Sequence, residues 1–145
     1  MLNRDWIAAH IPHQGSMCLL DAVLDWTPTS ILCRAHQPSA VAHPLRLAAR
    51  LGAACGIEYA AQAMAVHGAL LAGNDDPPRQ GYLTSVRAVT LHVDRLDDLP
   101  GELTISADCL GGDSNVLYRF ALYHGADCLL EGRAAVVLDA QSFGG

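Results

Sequence analysis

Residues 56–73 read G-I-E-Y-A-A-Q-A-M-A-V-H-G-A-L-L-A-G, and the reading of this stretch decides the fold. Between Leu51 and Asn74 the chain carries one formal charge, Glu58, among Ala, Leu, Val, Met and Gly. Apolar residues run nearly all round the helical wheel instead of forming one stripe, which describes a helix enclosed by the rest of the protein. The helix is expected to begin between Leu47 and Gly52 and to end near Gly73, a length of about 30 Å at 1.5 Å per residue. A membrane span is the competing reading. However, the stretch is Ala-rich, holds Glu58, Gln62 and His67 with four glycines, and a central carboxylate costs roughly 2.5–3.5 kcal/mol on insertion. A buried helix outside any membrane is therefore expected. In such surroundings Glu58 must be solvated, paired, protonated or used in chemistry.

On the N-terminal side, Asp5–His10 reads as a short helix capped by Asn3 and stopped near Pro12. C-L-L-D-A-V-L-D-W and S-I-L-C-R-A-H flank a T-P-T turn signal, which predicts a hairpin. Residues 37–46 are loop-like, broken by Pro38 and Pro44. Beyond the polar loop 74–80 the chain reads as strand: 81–93 alternates, 102–110 follows L-P-G, and the last two strands are joined by a G-A-D turn. In 81–93, either Ala88 or Val89 continues the alternation between Val86 and Leu91. One domain over 1–139 is expected, with a disordered tail at 140–145. Strands segregated from one central helix make an α+β protein. An antiparallel sheet can curl around a helix whose surface is small, the arrangement of a hotdog fold.

The 145 residues are 51% hydrophobic and only 17% charged. That apolar excess predicts a large oligomer interface. A net charge of −6 argues against a nucleic-acid role. The five cysteines are scattered without a C-x-x-C pair and read as small buried thiols in a reducing compartment. With no apolar leader at the N-terminus, the expected location is cytoplasmic. His36 and His92 have no carboxylate or cysteine at ligand spacing along the chain, so no metal site is expected.

Several motifs together resemble the bacterial β-hydroxyacyl-acyl carrier protein dehydratases. Pro12-His13 is followed nine residues after the proline by Asp21, Glu58-Tyr-Ala-Ala-Gln62 matches the helix signature, and His43-Pro44 stands where that family has its His-Phe-Pro loop. The resemblance runs from about Trp6 to Leu138 and is greatest to the dehydratase-like proteins of aryl polyene clusters. His43 and Glu58 are fifteen residues apart, one more than the family's usual separation, and the Phe of the His-Phe-Pro loop and the Pro-Gly-Val at the helix start are missing.

The resemblance implies a hotdog dimer, homo- or heteromeric with another hotdog protein, that eliminates water from a 3-hydroxyacyl thioester. His43 would be the base and Glu58 the acid, contributed from different subunits. A Glu58 carboxyl buried among Ala, Val and Met would be pushed towards its protonated form. The amide near Gly52 would bind the thioester oxygen, and Gln62, one turn beyond Glu58, would orient the acid. No cofactor is implied beyond the phosphopantetheine that tethers the substrate to an acyl carrier protein. Arg46 and Arg50, four apart, are candidates for meeting that phosphate or the acidic carrier, with Arg79, Arg87 and Arg95 as further cations.

Each residue also has a plainer reading. Glu58 would compensate a helix dipole at a wet edge, His43 would be a surface histidine, Gln62 a satisfied core amide, and Gly52 a relief of crowding. His13 would order the chain before the first strand, and His67 would be a core or helix-end polar group. Two further functions stay open: a hotdog thioesterase, whose carboxylate activates water without a histidine, and a non-catalytic hotdog subunit that completes a partner.

Overall fold

Asn3 begins the first helix by accepting a hydrogen bond from the Trp6 backbone N–H at 3.1 Å, the capping role expected of it. In the computed structural model, residues 2–11, 18–35, 52–72, 82–112 and 115–137 are described. The segment carrying His43, Arg46 and Arg50 lies outside them, as do His13, His36, Arg79 and the expected tail 140–145. The elements are β1 (Leu2–Asn3), α1 (Arg4–His10), β2 (Leu20–Thr27), β3 (Ser30–Ala35), α2 (Gly56–Ala72), β4 (Tyr82–Leu91), β5 (Leu103–Gly111), β6 (Asn115–His124) and β7 (Asp127–Val137).

All seven strands join one antiparallel sheet in the order β1-β2-β3-β5-β6-β7-β4. The hairpin predicted around T-P-T is β2–β3, with Thr27 paired to Ser30. The G-A-D turn joins β6 to β7, with Gly125 at φ 60°, a left-handed conformation that glycine adopts without strain. Helix α2 packs on one face of this sheet, mainly against β5, β3 and β6. The chain is thus α+β with the hotdog arrangement.

Two of the sheet's several register shifts decide which residues face the core. In β4 the register shifts between Arg87 and Thr90, and Ala88 sits at φ 53°. Val86 and Val89 consequently both pack against the core although three residues apart, while Leu91, opposite the buried Leu130 on that same face, is left half-uncovered at the sheet edge. The ambiguity between Ala88 and Val89 is settled by this extra residue, since an inserted residue reverses the alternation beyond it. A second bulge lies in β7, where Leu122 pairs with Leu130 but Tyr123 pairs with Cys128. Leu129 and Leu130 are therefore both buried.

The α2 helix starts later than its sequence suggests. Gly52 is extended, at φ −66° and ψ 151°, and bridges Arg95. The Ala53 N–H donates to the Asp94 carbonyl at 3.0 Å, and one 3-10 turn (Ala53–Cys55) leads into Gly56. Pairing with residues 94–95 holds the chain straight where the apolar pattern alone reads as helix. From Gly56, Tyr59, Ala60, Gln62, Ala63, Met64, Val66, His67 and Ala69 are buried, so the helix is enclosed on most sides.

Small residues make this possible. A methyl group on Gly56 would come within 2.6 Å of Leu130 Cδ2 and 3.1 Å of Leu122 Cδ2, both fully buried core side chains. Gly56→Ala is therefore expected to destabilise the fold by about 1–3 kcal/mol through overpacking, read as a lower denaturant midpoint at unchanged slope.

The far end of α2 is tied down by His67, which is buried. Its Nε2 lies 2.9 Å from the Thr27 carbonyl, which can only accept, so Nε2 carries the proton. Nδ1 then accepts from the Tyr118 hydroxyl at 2.7 Å. Burial pushes the His67 pKa below its ordinary 6.5, only partly countered by the Thr27 bond. The unfolded chain therefore takes up a proton near pH 6.5 that the folded chain refuses, and stability falls as pH drops through that value. The melting temperature is expected to decline on going from pH 7.5 to 5.5, with a shallower decline in His67→Asn.

Candidate functional site

Gln62 is fully buried, and both ends of its amide are used. Its Oε1 accepts the backbone N–H of Leu19 at 2.9 Å, and its Nε2 donates to Glu58 Oε1 at 3.2 Å. The i, i+4 spacing on α2 places the two side chains one turn apart on the same face. The Leu19 contact spans 43 positions and fastens the chain entering β2 to the middle of the helix. Gln62 is thus a satisfied core amide that hydrogen-bonds the carboxyl of Glu58.

Glu58 lies in the first turn of α2, where the helix dipole favours negative charge. It is half-buried, not enclosed in hydrocarbon as its neighbours in sequence implied. The wheel explains the difference: Tyr59, Ala60, Gln62 and Ala63 take the enclosed positions, and Glu58 is left half-open one turn before Gln62. The nearby Tyr59 hydroxyl is held well above its ordinary pKa, chiefly by burial, with Cys55 and Asp21 adding to it.

Gly52 lies before the 3-10 turn and four residues ahead of α2, so it does not form the first turn of the long helix. A methyl group there would meet nothing within 4 Å, and its φ of −66° suits any residue. Crowding therefore does not require glycine at this position. The Ala53 amide is already donated to Asp94, and the Cys55 amide to Gly52.

Of the candidate cations, Arg95 is held by Asp97, whose side chain is nearly buried, and so serves the loop after β4. Arg87 is different. It pairs in register with Arg133, and Arg133 with Arg119, across β4, β7 and β6. Directly opposed residues share a face, so three guanidinium groups form a row on the side away from α2. All three are exposed. Like charges opposed in a sheet repel by a few tenths of a kcal/mol up to about 1 kcal/mol each; Asp108, opposite Arg119, offsets one end of the row, and an anionic partner would relieve the Arg87–Arg133 end. Arg87 and Arg133 also line a shallow cavity of about 320 Å³ with Thr84, Ser85, Leu110 and Leu117. Arg119 and Arg133 escaped the sequence reading because they are 14 positions apart across a hairpin, and only the register brings them together.

Two substitutions separate the roles. Gln62→Leu keeps the volume but strands the buried Leu19 N–H, and is expected to cost about 1–3 kcal/mol. Gly52→Ala, at a compatible conformation, is expected to leave stability unchanged or raise it by about 0.4–1 kcal/mol. Thermal melts of the two variants check both.

A protein-family model described as "ApeP-like: ApeP dehydratase" matches residues 6–143. Among solved structures, a dehydratase heterocomplex, ApeI:P, from Xenorhabdus doucetiae superposes with a TM-score of 0.82 at 21% identity, covering 94% of this chain and 92% of that one. A thioesterase mutant from Pseudomonas aeruginosa gives 0.66 at 11% identity, covering 94% of each chain. A hypothetical thioesterase solved with coenzyme A from Streptococcus pneumoniae gives 0.58 at 11% identity, covering 81% of this chain and 84% of that one. At these identities the superpositions speak for the fold. No curated protein sequence matches significantly.

Proposed function

Given that this chain belongs to the ApeP-like dehydratase family, we propose that it removes water from a 3-hydroxyacyl thioester carried on an acyl carrier protein, in fatty acid or aryl polyene synthesis. The observation that carries this reading is the half-buried Glu58, oriented by a buried amide that is itself anchored to the chain entering β2. Glu58 donates its proton to the departing 3-hydroxyl, which leaves as water. The base, assigned to His43 by the family motif, takes the proton from the carbon beside the thioester carbonyl, and the electron pair of that C–H bond forms the new double bond. The protein is restored when His43 gives up its proton and Glu58 regains one. Neither step needs a cofactor.

The proposed carrier is acidic and bears the phosphodiester of its phosphopantetheine, and the row Arg87, Arg133 and Arg119 offers the complementary charge on an otherwise acidic protein. We assign carrier docking to this row, with Arg46 and Arg50 as further contacts. Dimerisation fits the edge strand β4, which among the described residues pairs only with β7 and exposes Leu83 and Leu91. Such an edge joins the equivalent edge of a second hotdog chain. The family's heterocomplex favours a different chain as that partner. In the second reading the partner performs the chemistry and this chain completes it.

Turnover of a 3-hydroxyacyl carrier protein tests the assignment. Removing a general acid or base typically costs 10²–10⁴-fold, so Glu58→Gln and His43→Ala are each expected to lower kcat by about that factor in the chain alone. Wild-type turnover in Glu58→Gln overturns the role of Glu58. Release of free acid that persists in His43→Ala indicates a thioesterase instead. Activity that appears only with a second hotdog chain, and survives both substitutions, indicates the non-catalytic subunit.

A further inference from the structure

Far from Glu58 in sequence, three potential ligands meet where β4 ends. His92 follows the last residue of β4, and its backbone N–H donates to the Leu129 carbonyl at 2.8 Å, which fixes it beside β7. Its Nε2 lies 3.1 Å from Glu131 Oε2, and the Cys128 Sγ lies 3.5 Å from the same oxygen. One ligand atom from each residue falls within 4.8 Å of the others.

The β7 bulge creates this meeting. In a regular strand, residues three apart point to opposite faces. Because Leu129 is the extra residue, Leu129 and Leu130 both turn into the core, and Cys128 shares the outer face with Glu131. Bulges commonly re-aim a side chain in this way. Reading along the chain finds no ligand spacing for His92, since its neighbours are 36 and 39 positions away and arrive through the pairing of β4 with β7.

The distances suit a particular ion. Zinc bonds of roughly 2.0–2.1 Å to imidazole, 2.0–2.2 Å to carboxylate and 2.3 Å to thiolate, at tetrahedral angles, place N and O about 3.3 Å apart and S and O about 3.5 Å apart. The observed 3.1 Å and 3.5 Å lie within a few tenths of an ångström of these edges. A His92–Glu131 ion pair accounts for the first distance and an S–H···O hydrogen bond for the second, and the Cys128 thiol also reaches the Leu130 carbonyl at 3.6 Å. What marks a ligand set is the convergence of imidazole, thiol and carboxylate at these spacings. Calcium and magnesium prefer oxygen-only shells, whereas a sulfur, nitrogen and oxygen set selects zinc and its neighbours. His92 and Glu131 are exposed and Cys128 is half-buried, so an ion and a water can reach them.

We propose that His92, Cys128 and Glu131 bind a zinc-type divalent cation at the rim of the sheet, with water as the fourth ligand. The Cys128 S–H bond breaks as the metal–sulfur bond forms, and its proton passes to solvent. Cys128 and Glu131 stand on β7, and His92 is held beside it by its own backbone hydrogen bond to Leu129, so binding requires only small side-chain adjustments. The ion would clamp the end of edge strand β4 to β7. This inference is independent of the dehydratase reading.

Titrating the reduced, metal-free full-length chain with Co²⁺, an optical substitute for zinc, tests it. One equivalent is expected to produce a thiolate-to-cobalt charge-transfer band that Zn²⁺ abolishes on displacing the cobalt. The band should vanish in Cys128→Ser, and His92→Ala or Glu131→Gln should each weaken binding at least tenfold. Circular dichroism verifies that each variant remains folded, and the exposed Glu131→Gln serves as the conservative check. Absence of the band, its survival in Cys128→Ser, or unchanged affinity in both His92→Ala and Glu131→Gln would overturn the proposal.

Discussion

A primary amide removed from water must find partners for its N–H groups and its oxygen, or cost a few kcal/mol. Gln62 meets that demand with two elements at once, the Leu19 amide and the Glu58 carboxyl. The consequence is a fixed relation between the centre of α2 and the start of β2. Glu58 has its position because Gln62 has no room to move. The apolar residues around the amide, among them Tyr59, Ala63 and Leu19, exclude the water that would otherwise compete for its hydrogen bonds.

That relation depends in turn on how closely the helix can lie on the sheet. Gly56 sits directly on Leu122 and Leu130, and any side chain there would crowd both leucines beneath the first turn of α2. At the other end His67 bridges to Thr27 and Tyr118, so the helix is held to β2 and β6 by polar contacts within an apolar interface. Between these anchors Ala60 and Ala63 supply thin contacts. The sheet answers with bulges at Ala88 and Leu129, each reversing the alternation where a strand must bend.

Much of this was legible in residue patterns because it is local. The Asn3 cap, the Thr27–Ser30 turn, the G-A-D hairpin and the enclosed character of residues 56–72 all follow from short-range chemistry. The i, i+4 pairing of Glu58 with Gln62 is likewise a property of any helix. What escaped depends on contacts between distant segments. The later start of α2 results from Gly52 bridging Arg95, which no helix propensity encodes. The arginine row needs the register of three strands, and the meeting of His92 with Cys128 and Glu131 needs both that register and a bulge. The half-exposure of Glu58 was missed for a related reason: composition reports what surrounds a residue in the chain, while packing decides which side of the helix stays open.

The central claim is that Glu58 moves a proton in adding or removing water across an acyl chain. The most direct measurement runs the reaction backwards, incubating the chain with a 2-enoyl carrier protein in ¹⁸O-labelled water and weighing the products. The account predicts that the label appears on the acyl chain while the thioester stays attached, and that Glu58→Ala abolishes it. Label found instead in a released carboxylic acid, or equal labelling by Glu58→Ala, would contradict the account.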